Sequence, residues 1–194
     1  QMLESMISNP RPTRAEANDV ATAIMLGTDA VMLSGESAGG EYPIEAVKWL
    51  VQIAKEVETH LRPRKFDNLE EILNFNPDWS NDLARGAISM AESAVQISQN
   101  LPVKAIFVLT KGGFTARVLS RYMLSQDIYA CVPNDNIAKR LSLTTGVITK
   151  IVPEAPNHDR DALVNNLMEY GKTHGIVQSG DFVIIAVGAH GFAD

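Results

Sequence analysis

Thr28-Asp29-Ala30-Val31-Met32-Leu33, running into Ser34-Gly35-Glu36-Ser37-Ala38-Gly39-Gly40-Glu41-Tyr42-Pro43, is the stretch whose reading decides the fold. Residues 30–33 are a short apolar run of the kind that forms a buried strand, the residues from Ser34 are small polar loop formers, and Pro43 suits the first position of a helix. An α/β protein presents a ligand-facing edge in this way, just past the C-terminal end of a strand. Ser34 and Glu36 sit on that edge. Glu36 is therefore a candidate for orienting a substrate or a group beside one, with plain capping of the next element as the alternative. Beyond Pro43, Ile44, Val47, Leu50, Ala54, Val57 and Leu61 recur at three- and four-residue steps, the apolar stripe of a long amphipathic helix.

Upstream, Asn9-Pro10-Arg11-Pro12 is an extended breaker, and Thr13 with Glu16 forms a capping box that opens a helix to about Leu26, ended by Gly27. Gln1 to Ile7 reads as helix from the outset with no capping residue before it, which points to a piece of a longer chain. Helix, strand, helix describes residues 1–61, and a lone strand cannot build a sheet. This section is expected to be completed by residues outside it.

Between 62 and 80 the periodicity fails. Arg62-Pro63-Arg64-Lys65 is basic, Pro77 breaks the chain, and Phe66, Leu69, Ile72 and Phe75 are sparse, as in a connector with one short helix. A second unit, 81–194, opens with a helix carrying Leu83, Ala87, Met90, Ala94, Ile97 and Leu101 on one face. Strands are expected at 105–109, 128–132, 147–152 and 182–187, separated by helices at 114–123, 136–141 and 159–174. Strands alternating with helices indicate a doubly wound, mainly parallel sheet, because parallel neighbours need a crossover of that length.

The turn after the first of these strands is Thr110-Lys111-Gly112-Gly113-Phe114-Thr115. Two glycines let the backbone approach a ligand, the following helix directs amides and a positive dipole end outward, and Thr110, Lys111 and Thr115 add donors and charge. That is the chemistry of a phosphate or carboxylate pocket. The lysine precedes the glycines, so the loop is not a Walker A motif, and it lacks the dinucleotide fingerprint. A tight βα turn with a capping threonine and a solvated lysine is the competing reading.

Composition limits the classes. With 45% hydrophobic and 21% charged residues the chain is an ordinary globular protein, and a net charge of −6 argues against nucleic-acid and anionic-membrane partners. No apolar run approaches the roughly 20 residues of a membrane helix, and no signal-peptide pattern opens the chain, so a cytoplasmic protein is expected. Cys131 is the single cysteine and reads as a core residue. His60, His158, His174 and His190 are far apart, without metal-ligand spacing, and no metal is assigned. Asp19, Asp29, Glu16 and Glu41 read as solvated-face or cap residues.

Several of these segments together resemble a known family. Asn9-Pro10-Arg11-Pro12-Thr13-Arg14-Ala15-Glu16, Asn18-Asp19-Val20-Ala21, residues 29–38 and Tyr42-Pro43-Ile44-Glu45-Ala46-Val47 are similar to the closing stretch of the pyruvate kinase barrel. The likeness continues through Val108 to Gly113, Gly171-Lys172 and Gly180 to Ile184. The resemblance implies the last βα portion of a TIM-type barrel, followed by the family's C-terminal α/β regulatory domain without its last strand. It implies a parent enzyme that moves a phosphoryl group from phosphoenolpyruvate to ADP with magnesium or manganese and potassium, as a homotetramer. In that family the catalytic lysine, the metal-binding carboxylates and the phosphate-contacting arginine lie on earlier strands, ahead of Gln1. The resemblance thus implies no turnover and no bound cofactor for these residues alone, with Ser34 and Glu36 as a supporting loop.

It also implies that Thr110, Lys111, Gly112, Gly113 and Thr115 receive the phosphate of a sugar-phosphate or nucleotide effector. Phe114 and Leu163 stand where bisphosphate-regulated members carry basic residues, which favours a monophosphate effector or none. Gly39 replaces a lysine that many members hold near the nucleotide phosphates. Two other readings compete: a stand-alone module that binds a phosphorylated metabolite without catalysis, and an unrelated dinucleotide-binding domain, which lacks its glycine signature.

Overall fold

A computed structural model describes residues 2–64, 82–152 and 160–187. The expected connector helix, His158, His190 and the residues from 188 onward lie outside these ranges. The chain divides into two compact units, Gln1–Arg62 and Pro63–Asp194.

The first unit contains a 3₁₀ turn, Glu4–Ile7, and the helices α1 (Arg14–Met25), α2 (Gly35–Ala38) and α3 (Pro43–Glu58). Thr13 caps α1 through the reciprocal box with Glu16 that the sequence indicates, and Pro43 opens α3. The helix expected over residues 1–7 is a single tight turn, Met6 N–H donating to the Leu3 carbonyl. Pro10 and Pro12 follow closely and deny it the amides a longer helix would need. Leu3, Met6, Val20, Ile24 and Ala46 form a small core, with Trp49, Leu50, Ile53 and Ala54 of α3 packed around it.

Residues 30–33 correct the expectation of a buried strand. They join no sheet, and Ala30 and Met32 face outward while Val31 and Leu33 are half-buried against the core. A strand is defined by its neighbours, and among the described residues this segment has none. The loop after it contains α2, one helical turn that small polar residues did not announce.

Among its described residues the second unit is built on four strands, β1 (Val103–Leu109), β2 (Ile128–Val132), β3 (Val147–Ile151) and β4 (Phe182–Ala186), in the order β3-β2-β1-β4. All three pairings are parallel. Helices α4 (Asp82–Asn100), α5 (Phe114–Arg121), α6 (Asp135–Leu141) and α7 (Arg160–Thr173) cover both faces. On one face Ile106, Val108, Ile128 and Ala130 pack under Ile88, Ala91, Val95, Leu119 and Leu141. On the other Phe107, Leu109, Tyr129 and Cys131 meet Leu163, Leu167 and Val177. Cover on both faces explains why the inner part of β1 and all of β2 read as continuous apolar runs, whereas β3 and β4 remain half-exposed. β1 begins two residues earlier than expected, since exposed Lys104 interrupts its apolar run while Val103 still pairs with Phe182. Among the described residues no helix is long and apolar enough to cross a membrane.

Candidate functional site

The strand order places a switch point between β1 and β4. From β1 the chain proceeds outward to β2 and β3, then returns to β1's other side for β4. Loops leaving the C-terminal ends of such neighbouring strands diverge and leave a crevice, the usual ligand position of an open α/β sheet. Thr110 to Gly113 is the loop leaving β1.

That turn is tightly made. Gly113 adopts φ +81°, a left-handed conformation that residues with a side chain avoid, and a Cβ there would lie 2.8 Å from Leu141 Cδ2. Thr110 is fully buried; its amide donates to the Cys131 carbonyl, and its Oγ1 accepts the Gly113 N–H at 2.9 Å. Thr115 is likewise fully buried in the first turn of α5, whereas Lys111 is exposed and Gly112 and Phe114 are half-buried. The structure thus brings the backbone of 112–114 to the helix's positive end, with Lys111 exposed in the same turn. The Thr110 hydroxyl shapes the loop from within. Leu163, where an arginine would add charge, is 3% exposed among the apolar side chains below Phe107.

In the first unit Ser34 is exposed at the mouth of its loop, and Glu36, two residues on, is 1% exposed. Its Oε1 accepts the Leu3 N–H at 3.0 Å and its Oε2 the Ser34 N–H at 2.7 Å. Burial pushes its pKa upward, but the donors of Glu36 itself, Ser34 and Leu3 outweigh it and hold the carboxyl below the usual range. Sequence spacing could not show the bond to Leu3, whose partner lies 33 positions away.

Glu16 is also more than a cap. Besides accepting the Thr13 amide and hydroxyl, it receives the Ser5 N–H at 2.6 Å and so ties the 3₁₀ turn to α1. Burial raises its pKa and the Ser5 and Thr13 donors lower it more, leaving it at about 2. Cys131 is 1% exposed, and burial pushes its thiol up to about 12 against the opposing pull of Lys150, as suits a core residue. His60 and His174 each bond a carbonyl in the preceding turn of their own chain segment.

Comparison with known proteins places these features in a family. The sequence profile of the pyruvate kinase alpha/beta domain matches residues 88–193, more than half of the chain. The chain belongs to the pyruvate kinase family. The profile of the pyruvate kinase barrel domain matches residues 1–47. Pyruvate kinase of Clostridium perfringens is 40% identical over 188 residues, which are 97% of this chain and 38% of that protein. Pyruvate kinase of Bacillus licheniformis is 41% identical over 194 residues, all of this chain and 31% of the relative. The chain therefore spans about a third of the length of the pyruvate kinases it matches. A crystal structure of a pyruvate kinase from Cryptosporidium parvum superposes with a TM-score of 0.78 at 34% identity, covering 98% of this chain and 37% of that one. A structure of C. parvum pyruvate kinase in complex with ADP gives 0.69 at 34% identity, covering 95% and 35%.

Proposed function

We propose that this chain is the part of a pyruvate kinase that closes the catalytic barrel and carries the regulatory α/β domain. The whole enzyme transfers a phosphoryl group from phosphoenolpyruvate to ADP. The observation that carries this reading is the order of the two profile matches, barrel end at 1–47 and alpha/beta domain at 88–193, along one chain. Residues 1–194 alone are inactive on this reading. Phosphoryl transfer depends on cations set against the developing charge. Among the described residues no three His, Cys, Asp or Glu side chains gather as a metal site, so no step of the reaction is assigned to a metal held by them. Magnesium or manganese and potassium belong to the parent enzyme.

The α/β domain binds a phosphorylated small molecule at the turn of Thr110, Lys111, Gly112, Gly113 and Thr115. Support comes from the left-handed Gly113, the exposed Lys111 and the position beside the switch point. A buried Leu163 and a half-buried Phe114 supply no second charge, which favours a monophosphate over a bisphosphate. The parent works as a homotetramer in the cytoplasm.

A lactate dehydrogenase-coupled assay on the full-length protein and on residues 1–194 tests the first statement. Turnover is expected from the former only, and turnover by the latter refutes it. Calorimetric titration with ribose 5-phosphate, glucose 6-phosphate, AMP and fructose 1,6-bisphosphate tests the second. Binding of a monophosphate, lost in Lys111→Ala, is expected; no heat from any of the four in folded protein removes the effector site.

A further inference from the structure

The loop at residues 34–42 is fastened at both ends to one short turn. At its start the buried Glu36 carboxylate accepts the amides of Leu3 and Ser34 together. At its end the Glu41 N–H donates to the Ile7 carbonyl at 2.7 Å. Between these points the surfaces touch without slack: a Cβ on Gly40 would lie 2.7 Å from the Glu36 carbonyl oxygen and 3.1 Å from Ile7 Cα, and one on Gly35 would lie 3.0 Å from Ile7 Cδ1. A carboxylate serving only as a cap bonds within its own first turn, and one that contacts substrate keeps an oxygen toward solvent. Glu36 goes beyond the first and departs from the second: one oxygen takes the Ser34 amide of its own turn, the other takes an amide of a distant segment, and the side chain is buried.

We propose that Glu36 is a positioning residue for phosphoryl transfer, its carboxylate fastening the edge loop 34–42 to the turn Leu3–Ile7 so that both move as one body. This rests on the pyruvate kinase reading above. Ionised, the carboxylate offers an acceptor to each amide. A glutamine offers one and sets an NH₂ donor against the other N–H, leaving a buried clash of donors. Groups held this way act on the geometry of the reacting complex, so their loss lowers kcat more than it raises KM.

The test uses the full-length protein with Glu36→Gln, Gly40→Ala, their combination, and Gly86→Ala, a change on the exposed side of α4 that meets no neighbour within 4 Å. Peptide-level hydrogen exchange over residues 2–8 and 33–42 is expected to quicken at least tenfold in both loop variants. Their kcat is expected to fall at least tenfold, with KM for phosphoenolpyruvate and ADP within threefold. The double variant should be no worse than the poorer single one, because both undo the same fastening. Gly86→Ala should match the parent. Faster exchange with unchanged kcat shows the fastening to be merely structural and overturns the proposal, as does unchanged exchange in Glu36→Gln. Should Glu36→Gln fail to fold, Gly40→Ala carries the same readouts. A full-length parent without phosphoryl transfer refutes the underlying reading, while the exchange results still report whether the fastening exists.

Discussion

The two units bury their apolar residues by different means. Among its described residues the second builds a four-stranded sheet and covers both faces, so that Phe107, Val108, Leu109 and Ile106 of β1 are fully buried. Among its described residues the first has helices but no sheet. Its core is five residues, and Met25, Leu26, Met32, Ile44 and Val47 are 54%, 70%, 74%, 64% and 47% exposed. α3 shows the contrast within one element: Ala46, Leu50 and Ala54 face the unit's core, while Ile44, Val47 and Val51 form a second apolar stripe facing out. A helix apolar on two sides is shaped for two neighbours. Stability is accordingly expected to reside in the second unit and association in the first.

The sharpest way to break this contrast is Phe107→Ala. The ring is fully buried at the centre of β1 and stacks on Tyr129 at 5.2 Å between centroids, so its loss is expected to cost about 3–5 kcal/mol. Urea unfolding followed by far-ultraviolet circular dichroism measures this, and a loss below about 1 kcal/mol would dissolve the distinction. Gly171→Ala follows. Its Cβ would lie 2.8 Å from Val177 Cγ2 and 3.3 Å from Phe107 Cζ, so α7 must lift and about 1–3 kcal/mol is expected to be lost in the same assay.

In the first unit the expected effects are smaller. Thr13→Ala removes the hydroxyl of the capping box and should cost about 1 kcal/mol. Glu16 adds a pH signature to that element. With its carboxyl lowered from 4.5 to about 2 on folding, its contribution is complete above 4.5 and fades as pH falls toward 2. Glu16→Gln should flatten the acid limb of the stability profile, and an unchanged limb would show that the Ser5 and Thr13 bonds do not persist in solution. Smallest in stability is Ile44→Ser with Val47→Ser. Within about 0.5 kcal/mol of the parent is expected. The pair should nonetheless shift residues 1–194 toward monomer in sedimentation, and an unchanged distribution would mean that this stripe takes no part in association.

The same contrast explains what could be read in advance. Strands β1 and β2 were legible because burial on both faces turns each into an apolar run, β3 and β4 because β-branched and apolar residues dominate even where half-exposed, and the α1 boundary because Thr13 and Glu16 stand at the spacing a capping box requires. The segment 30–33 has the composition of a strand, but strand formation depends on partners that composition does not supply. Thr110 to Gly113 could be recognised as a glycine turn after a strand, yet that its threonine hydroxyl points inward to the Gly113 amide follows only from coordinates. Glu36 was ambiguous between cap and ligand group for a related reason. Its partner Leu3 is remote in sequence and contributes a main-chain amide, which leaves no trace in residue type.

The sheet order also bears on how the second unit is made. β1 is its first strand to be synthesised and lies inside the sheet, with Val103 waiting for Phe182, about eighty residues later, before its second edge is covered. Until β4 emerges from the ribosome, an apolar strand with an open edge is exposed to any neighbouring chain. Yield of correctly folded protein should therefore depend on the pace of translation through β4 and on chaperones present during that interval, well before the finished molecule's stability becomes relevant.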